Sequence, residues 1–216
     1  AVATIDGDLI VEVGRWLMNE ASGNALDSIG ANPLTDKNSV GSASDGNGNY
    51  RTFNGTNWFS HADNATFSMG AGARLTVSVW VNPTSLVNDP VPFSKRDISY
   101  QVTLGSDGTA YGLGSSDGTA GPGLIVVNTS AGAVVTGAWQ MVTLIYDGTV
   151  FAVKVDDDSP ASLPFSADLF DGIQPFEVGA WASGTEQPLN GGMRRLRLWK
   201  RALSAAQLTK VFNDGY

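Results

Sequence analysis

Seven Asp-Gly pairs, at Asp6, Asp45, Asp107, Asp117, Asp147, Asp171 and Asp214, punctuate a chain of 216 residues. Such pairs suit tight turns: glycine accepts positive φ without a Cβ clash, and the Asp carboxylate hydrogen-bonds nearby backbone. The acid usage agrees. Of the 21 acids only Glu12, Glu20, Glu177 and Glu186 are Glu, and all the others are Asp. Asp favours turns, whereas Glu favours helices. With 26 Gly and 9 Pro, the chain reads as many short strands joined by turns.

The strands show in the alternation. Residues 75–81 place Leu75, Val77, Val79 and Val81 on one face and Thr76, Ser78 and Trp80 on the other. Asn82-Pro83 is expected to stop that strand. Residues 98–104 alternate likewise, with Ile98, Tyr100, Val102 and Leu104 on one side. Residues 50–53 and 56–60 flank Asn54-Gly55, which predicts a hairpin with a type I′ turn. Ser106-Asp-Gly-Thr109 recurs as Ser116-Asp-Gly-Thr119, which suits two successive turns of a meander. Further strands are expected over 124–127, 139–146, 150–155, 176–181 and 193–199. A short helix is expected over 204–212, with Ser204 as N-cap, Gln207 completing a capping box, a Leu203/Leu208 staple and Asp214-Gly215 as the stop. With no linker or low-complexity break, residues 1–216 read as one domain.

Composition removes several functions. The net charge of −8 argues against a nucleic-acid coat, which rests on many cations neutralising phosphates. No apolar run approaches the roughly 20 residues a membrane helix needs, so membrane insertion is not expected. Residues 1–10 carry Asp6 and Asp8 and no basic cluster, unlike a signal peptide. The absence of cysteine excludes disulfides, a thiol nucleophile and Cys-based zinc. His61 is the one histidine.

The order of motifs resembles the laminin-G-like, concanavalin A-like jelly-roll domains, in their pentraxin-like and bacterial or phage branches. The resemblance is carried by Gly14-Arg-Trp16, Asn19-Glu-Ala-Ser-Gly23, Ala25-Leu-Asp27-Ser-Ile-Gly30, Tyr50-Arg-Thr-Phe-Asn-Gly55, Leu75 to Pro83 with Trp80, Gly137-Ala-Trp139 through Tyr146-Asp-Gly148, and Gly192 to Trp199 followed by Arg201-Ala-Leu-Ser204. It implies an all-β fold: a two-sheet antiparallel jelly-roll sandwich with one short C-terminal helix on the outside. The family hosts lectins, carbohydrate-binding modules, adhesion domains, glucanases and virion proteins, so the site must choose among them.

Enzymatic readings find little support. The paired acids of the glucanase strand are missing: Glu177 stands alone on its strand and Glu186 in a loop. Gly114-Ser-Ser116-Asp-Gly118 matches a nucleophile elbow in letters, but no helix is expected after it. Calcium stays open, with no cofactor required. Asp45-Gly-Asn47-Gly-Asn49 spaces oxygen ligands like the start of an EF-hand loop, although Tyr50 stands where that loop needs glycine. The resemblance implies a structural calcium through acids of the opening motif, here Glu20 and Asp27. Its second half is absent, because Met193-Arg194-Arg195 occupies the C-terminal signature.

Two surfaces are candidates for binding. Trp58 and Trp181 lie nearer loops than the other tryptophans. With Asn57, Gln187 and Asn190 they suit a stacking platform edged by amide hydrogen bonds. Arg194, Arg195 and Arg197, on a strand where 195 and 197 share a face with Met193 and Trp199, form a candidate anion or partner patch. The expectation is a non-catalytic domain, extracellular or on a cell or virion surface, that binds a glycan or polysaccharide. The alternative is a virion or surface structural module, of decoration or tail-fibre type, docking to other protein chains.

Overall fold

The computed structural model describes residues 3–5, 8–10, 12–95 and 98–214. Two large antiparallel sheets face each other. One runs in the order β15 (Ala161–Pro164), β14 (Val150–Val155), β13 (Gln140–Tyr146), β8 (Leu75–Ser85), β17 (Asn190–Trp199), β6 (Gly48–Asn54) and β5 (Gly41–Asp45), with β3 (Gly14–Trp16) also on β17. The other runs β12 (Leu124–Asn128), β11 (Ala110–Ser115), β10 (Tyr100–Leu104), β9 (Phe93–Lys95), β16 (Phe176–Val178), β7 (Trp58–His61) and β4 (Thr35–Lys37). β1 (Ala3–Ile5) pairs with β2 (Asp8–Ile10), Ile5 opposite Asp8. The helix α1 covers Ala205–Asn213. This is the jelly-roll sandwich the sequence implies. The Asp6-Gly7 pair and Gly215 lie outside the described residues.

The core lies where the alternation puts it. Leu75, Val77, Val79 and Val81 of β8 meet Tyr100, Val102 and Leu104 of β10 in one buried cluster between the sheets. Phe67 stacks on Phe176 with ring centroids 4.7 Å apart, and Trp16 stacks on Phe67 at 5.9 Å. Arg51 is also fully buried. Its Nε donates to the Gly41 carbonyl (2.9 Å), Nη1 to Gly23 (2.8 Å) and Nη2 to Val40 (2.5 Å). Glu20 and Asp36 stand 3.9 and 3.6 Å from its nitrogens.

Local geometry corrects four expectations. β8 runs on through Pro83 to Ser85. β17 is irregular between Asn190 and Gly191, where Gly191 faces Pro83, and a bulge accepts a residue with no amide to donate. The Asn54-Gly55 element is no hairpin. β6 belongs to the first sheet and β7 to the second, so residues 54–57 turn a corner between them. Only Gly55 has positive φ there (+83°), where type I′ needs two such residues. Ile98 does not join β10, because its φ of +52° turns it out of the strand. In β17 the register shifts between Arg194 and Arg197, with Arg195 at φ +55°. The extra residue resets the alternation. Met193, Leu196 and Leu198 all enter the core, while Trp199 packs beneath the helix.

The helix begins as expected. Ser204 accepts from the Gln207 amide, and the Gln207 side chain accepts from the Ser204 amide at 2.9 Å. Leu203, Leu208 and Val211 pack with Trp80, Met141, Ile145 and Trp199 in a second cluster. The middle of the outer face of the eight-stranded sheet, over β8, β13, β14 and β17, is thereby covered. Among the described residues no helix is long and apolar enough to cross a membrane.

Candidate functional site

Among the described residues no helix covers the outer face of the seven-stranded sheet. The register lays one row of outward residues across its full width: Val126, Leu113, Gln101, Ser94, Glu177, Ser60 and Thr35. On β7, β9, β10 and β16 they alternate with the core residues Phe59, Phe93, Tyr100, Val102, Phe176 and Val178, as the pleat requires. A small hairpin lies over the middle of this row. Trp181 and Glu186 exchange backbone hydrogen bonds at 3.0 and 3.2 Å, and the Ser183 amide donates to the Glu177 carboxylate at 3.0 Å. Glu177 is only 1% exposed beneath it. Gly184, with φ +77°, seats the hairpin on Trp58, since a Cβ there would fall 2.2 Å from the indole.

Beside the hairpin a cavity of about 470 Å³ opens over β10, β11 and β12. This volume lies within the roughly 300–1,000 Å³ of small-molecule sites. Gln101, Thr103, Tyr111, Leu113 and Val126 form its floor, and Trp181 and Gln187 form a wall. Asp89, Ser106 and Asp107 close one end, and Ile98 lines it as well. The polar groups are held in place. Gln101 Nε2 donates to Thr103 Oγ1 (2.9 Å), Asp89 Oδ1 accepts from the Ser106 amide (2.8 Å), and Asp107 Oδ1 accepts from the Thr109 amide (2.9 Å). The Thr109 amide and hydroxyl hold the Asp107 carboxyl below its ordinary pKa, so it is ionised at neutral pH. Strain gathers here too. Asp89, Ile98 and Gln187 have φ of +49°, +52° and +48°, and Asn88, Ala182 and Ser183 next to them are also left-handed. Such conformations cost free energy and concentrate at functional sites.

The candidate platform separates into three places. Trp181 and Gln187 line the cavity. Trp58 shares the same sheet face, but it lies under Gly184 of the hairpin and is not among the cavity-lining residues. Asn57 and Asn190 belong to the corner between the sheets. Asn57 is buried, with Oδ1 accepting from the Asn54 amide (3.1 Å) and Nδ2 donating to the Ser39 carbonyl (3.1 Å). Asn190 packs against Gly55. Gln101, Thr103 and Tyr111 were not singled out from the sequence. The signal for the first two was the polar face of the 98–104 alternation.

The arginines do not form one open patch. Arg194, 2% exposed, lies 4.1 Å over the Trp139 ring with Nη1 3.2 Å from Asp45. Arg195 donates to the Asp214 carbonyl (3.0 Å), and Arg197 stands 3.8 Å from Glu12. All three are on β17, in the sheet opposite the cavity. The acids of the opening motif serve the protein's own donors. Glu20 Oε1 accepts from the Leu26 amide (2.8 Å), and Asp27 accepts from the amides of Arg15, Ile29 and Asn32. Asp45-Gly-Asn47 is a tight turn, Asp45 facing Gly48. Among the described residues no three His, Asp or Glu cluster in a way that would hold a metal ion. Strand β12, not a helix, follows the Gly114–Gly118 loop, where Ser115 Oγ accepts from the Gly118 and Thr119 amides.

The fold is similar to that of several solved structures. Domain 4 of AbnA, an extracellular arabinanase from Geobacillus stearothermophilus seen with arabinotriose, is 20% identical, covers 93% of this chain and 98% of its own, and superposes with a TM-score of 0.64. The botulinum neurotoxin serotype G binding domain is 12% identical with a TM-score of 0.73, over 94% of this chain and 51% of its own. The botulinum neurotoxin DC binding domain, seen with rat synaptotagmin II, is 10% or less identical, at 9%, with a TM-score of 0.66 over 92% and 52%. This chain thus spans about half of each toxin binding domain. No curated protein sequence matches it. A family model does match, over residues 45–209, and by it the chain belongs to the concanavalin A-like lectin/glucanases superfamily.

Proposed function

We propose that this protein is a non-catalytic carbohydrate-binding domain whose site is the cavity on the outer face of the seven-stranded sheet. The observation that carries the reading is the makeup of that cavity. Two aromatic residues, Trp181 and Tyr111, stand with Gln101, Gln187 and Thr103 around one hollow. Aromatic faces receive the apolar side of a pyranose or furanose ring, and fixed amides and hydroxyls pair with its hydroxyls. α1 packs on the middle of the other sheet, and this face is the one that carries the cavity. The arabinotriose complex of the arabinanase domain and the synaptotagmin complex of the toxin domain support a binding role on this fold. The setting is extracellular, in adhesion or attachment at a cell or virion surface.

A glycan array probed with the purified protein, with calcium and with chelator, tests the reading. Binding is expected, and in calorimetry Trp181→Ala is expected to weaken it by about 10-fold or more, the scale of a buried aromatic contact. The thermal midpoint of the variant serves as the folding control. Full affinity in a Trp181→Ala, Tyr111→Ala double variant would remove the cavity as the site.

A further inference from the structure

A second hollow, of about 530 Å³, lies directly across the β10–β11 turn from the first. Ser85, Leu86, Val87, Gly132, Val134, Val135 and Thr136 line it, and Ser106 and Asp107 line both hollows. The ridge between them is held by backbone hydrogen bonds. The Gly132 amide donates to the Asp107 carbonyl (3.0 Å), the Val134 amide to the Gly108 carbonyl (2.8 Å), and the Gly108 amide to Gly105 (2.9 Å). A Cβ at Gly108 would fall 2.5 Å from the Val134 carbonyl oxygen, so the turn is packed directly on the 132–134 segment. Asp107 stands exposed on this ridge, with one carboxylate oxygen engaged by Thr109. Val87 and Val135 stand 67% and 47% exposed in the second hollow. Neither hollow has a lysine or arginine among its described lining residues, while Asp89 and Asp107 are both acidic.

We propose that the two hollows are successive subsites of one track, which takes an internal stretch of a linear, uncharged polysaccharide across the Ser106–Gly108 ridge. The inference rests on the first cavity being a glycan site. A mono- or disaccharide fits within the first hollow alone and leaves the second empty, whereas a longer linear chain crossing the ridge buries rings in both. Asp107 then accepts hydrogen bonds from sugar hydroxyls at the crossing, where an ionised acceptor is roughly twice as strong as a neutral one. The same carboxylates repel uronic, sulfated or sialylated chains, because no cation among the described lining residues offsets them.

The test is calorimetric titration of the whole protein with neutral arabino-, xylo- and cello-oligosaccharides from disaccharide to hexasaccharide, and with oligogalacturonides as the acidic series. For the neutral series that binds, affinity is expected to climb with chain length until both hollows are filled. Val135→Trp, which fills the second hollow, is expected to abolish the gain from the longer chains and leave the disaccharide affinity unchanged. Oligogalacturonides are expected to bind at least about 10-fold more weakly at low salt, with Asp89→Asn plus Asp107→Asn narrowing the gap and added salt screening it. Affinity independent of length, an unchanged length gain in Val135→Trp, or equal binding of the acidic series would overturn the track while leaving the first cavity as a site. Silence of every neutral oligosaccharide at every length would overturn both readings together.

Discussion

Replacing Arg51 with Met should cost about 4 kcal/mol of stability, the range for removing one partner of a buried charged network. The figure follows from what the side chain holds. Three carbonyls accept from it, at 2.9, 2.8 and 2.5 Å, and two carboxylates stand within 4 Å. Each hydrogen bond to a charged group contributes about 1.5–3 kcal/mol. The simple sum overshoots, because Glu20 and Asp36 keep 17% and 13% side-chain exposure and can recover water. For a chain of this length about 4 kcal/mol corresponds to a fall of roughly 8–16 °C in Tm. Urea unfolding followed by tryptophan fluorescence would show a lower midpoint with an unchanged slope. Arg51→Lys keeps the charge but not the planar fork, so it should fall between wild type and Met. A loss under about 1 kcal/mol in the Met variant would refute the claim that this guanidinium ties the opening segment to the sandwich.

Two further outcomes follow from the same geometry. Asn57→Ala leaves the Asn54 amide and the Ser39 carbonyl without their buried partner, so stability should drop by about 2 kcal/mol, and Tm by roughly 4–8 °C, with the oligomeric state unchanged; a change under about 0.5 kcal/mol would mark Asn57 as dispensable to the corner. The Thr109 amide and hydroxyl hold Asp107 below the usual carboxylate value, and the Ser115 hydroxyl, then the Thr119 amide and hydroxyl, do the same for Asp117. Groups with depressed folded values contribute stability that is fully present above their unfolded pKa of about 3.9 and lost as pH falls through the folded value. The urea midpoint should therefore hold from neutral pH down to about 5 and fall below about 4, and Ser115→Ala with Thr109→Val should flatten that fall; an unchanged acid limb in that double variant would show that the two turns do not contribute.

Much of the fold was legible because it follows from alternation and turn chemistry. The inward faces of β8 and β10, the two Ser-Asp-Gly-Thr turns of the meander and the capping box at Ser204 are local patterns, and each local choice agrees with the whole. What was not legible depends on one residue or on distant pairing. A single left-handed residue at Arg195 resets the alternation of β17, so its arginines turn to Asp45, Glu12 and the Asp214 carbonyl. Asn54-Gly55 has the letters of a hairpin, yet its flanking strands pair elsewhere, β6 with β5 and β17 and β7 with β4 and β16, and not with each other. The candidate site was half legible. Trp181 and Gln187 showed as an aromatic and an amide near a loop, whereas Trp58, Asn57 and Asn190 shared only proximity in type. Gln101 and Tyr111 reach the same hollow through strand register, which no local motif encodes.

Strand β11 supplies both the floor of the cavity and the lining of the core. Tyr111 and Leu113 point outward, and between and beyond them Gly112 and Gly114 face the other sheet, where a Cβ would fall 2.7 Å from Leu144 and 2.9 Å from Phe151. The two functions are therefore separable by parity. A library that varies the odd positions 111 and 113, together with Val126 opposite, can reshape the ligand surface while the packing beneath stays intact. Any side chain introduced at the even positions would push the floor outward and narrow the hollow, so a change made in the core there would be read out as a change in ligand selectivity.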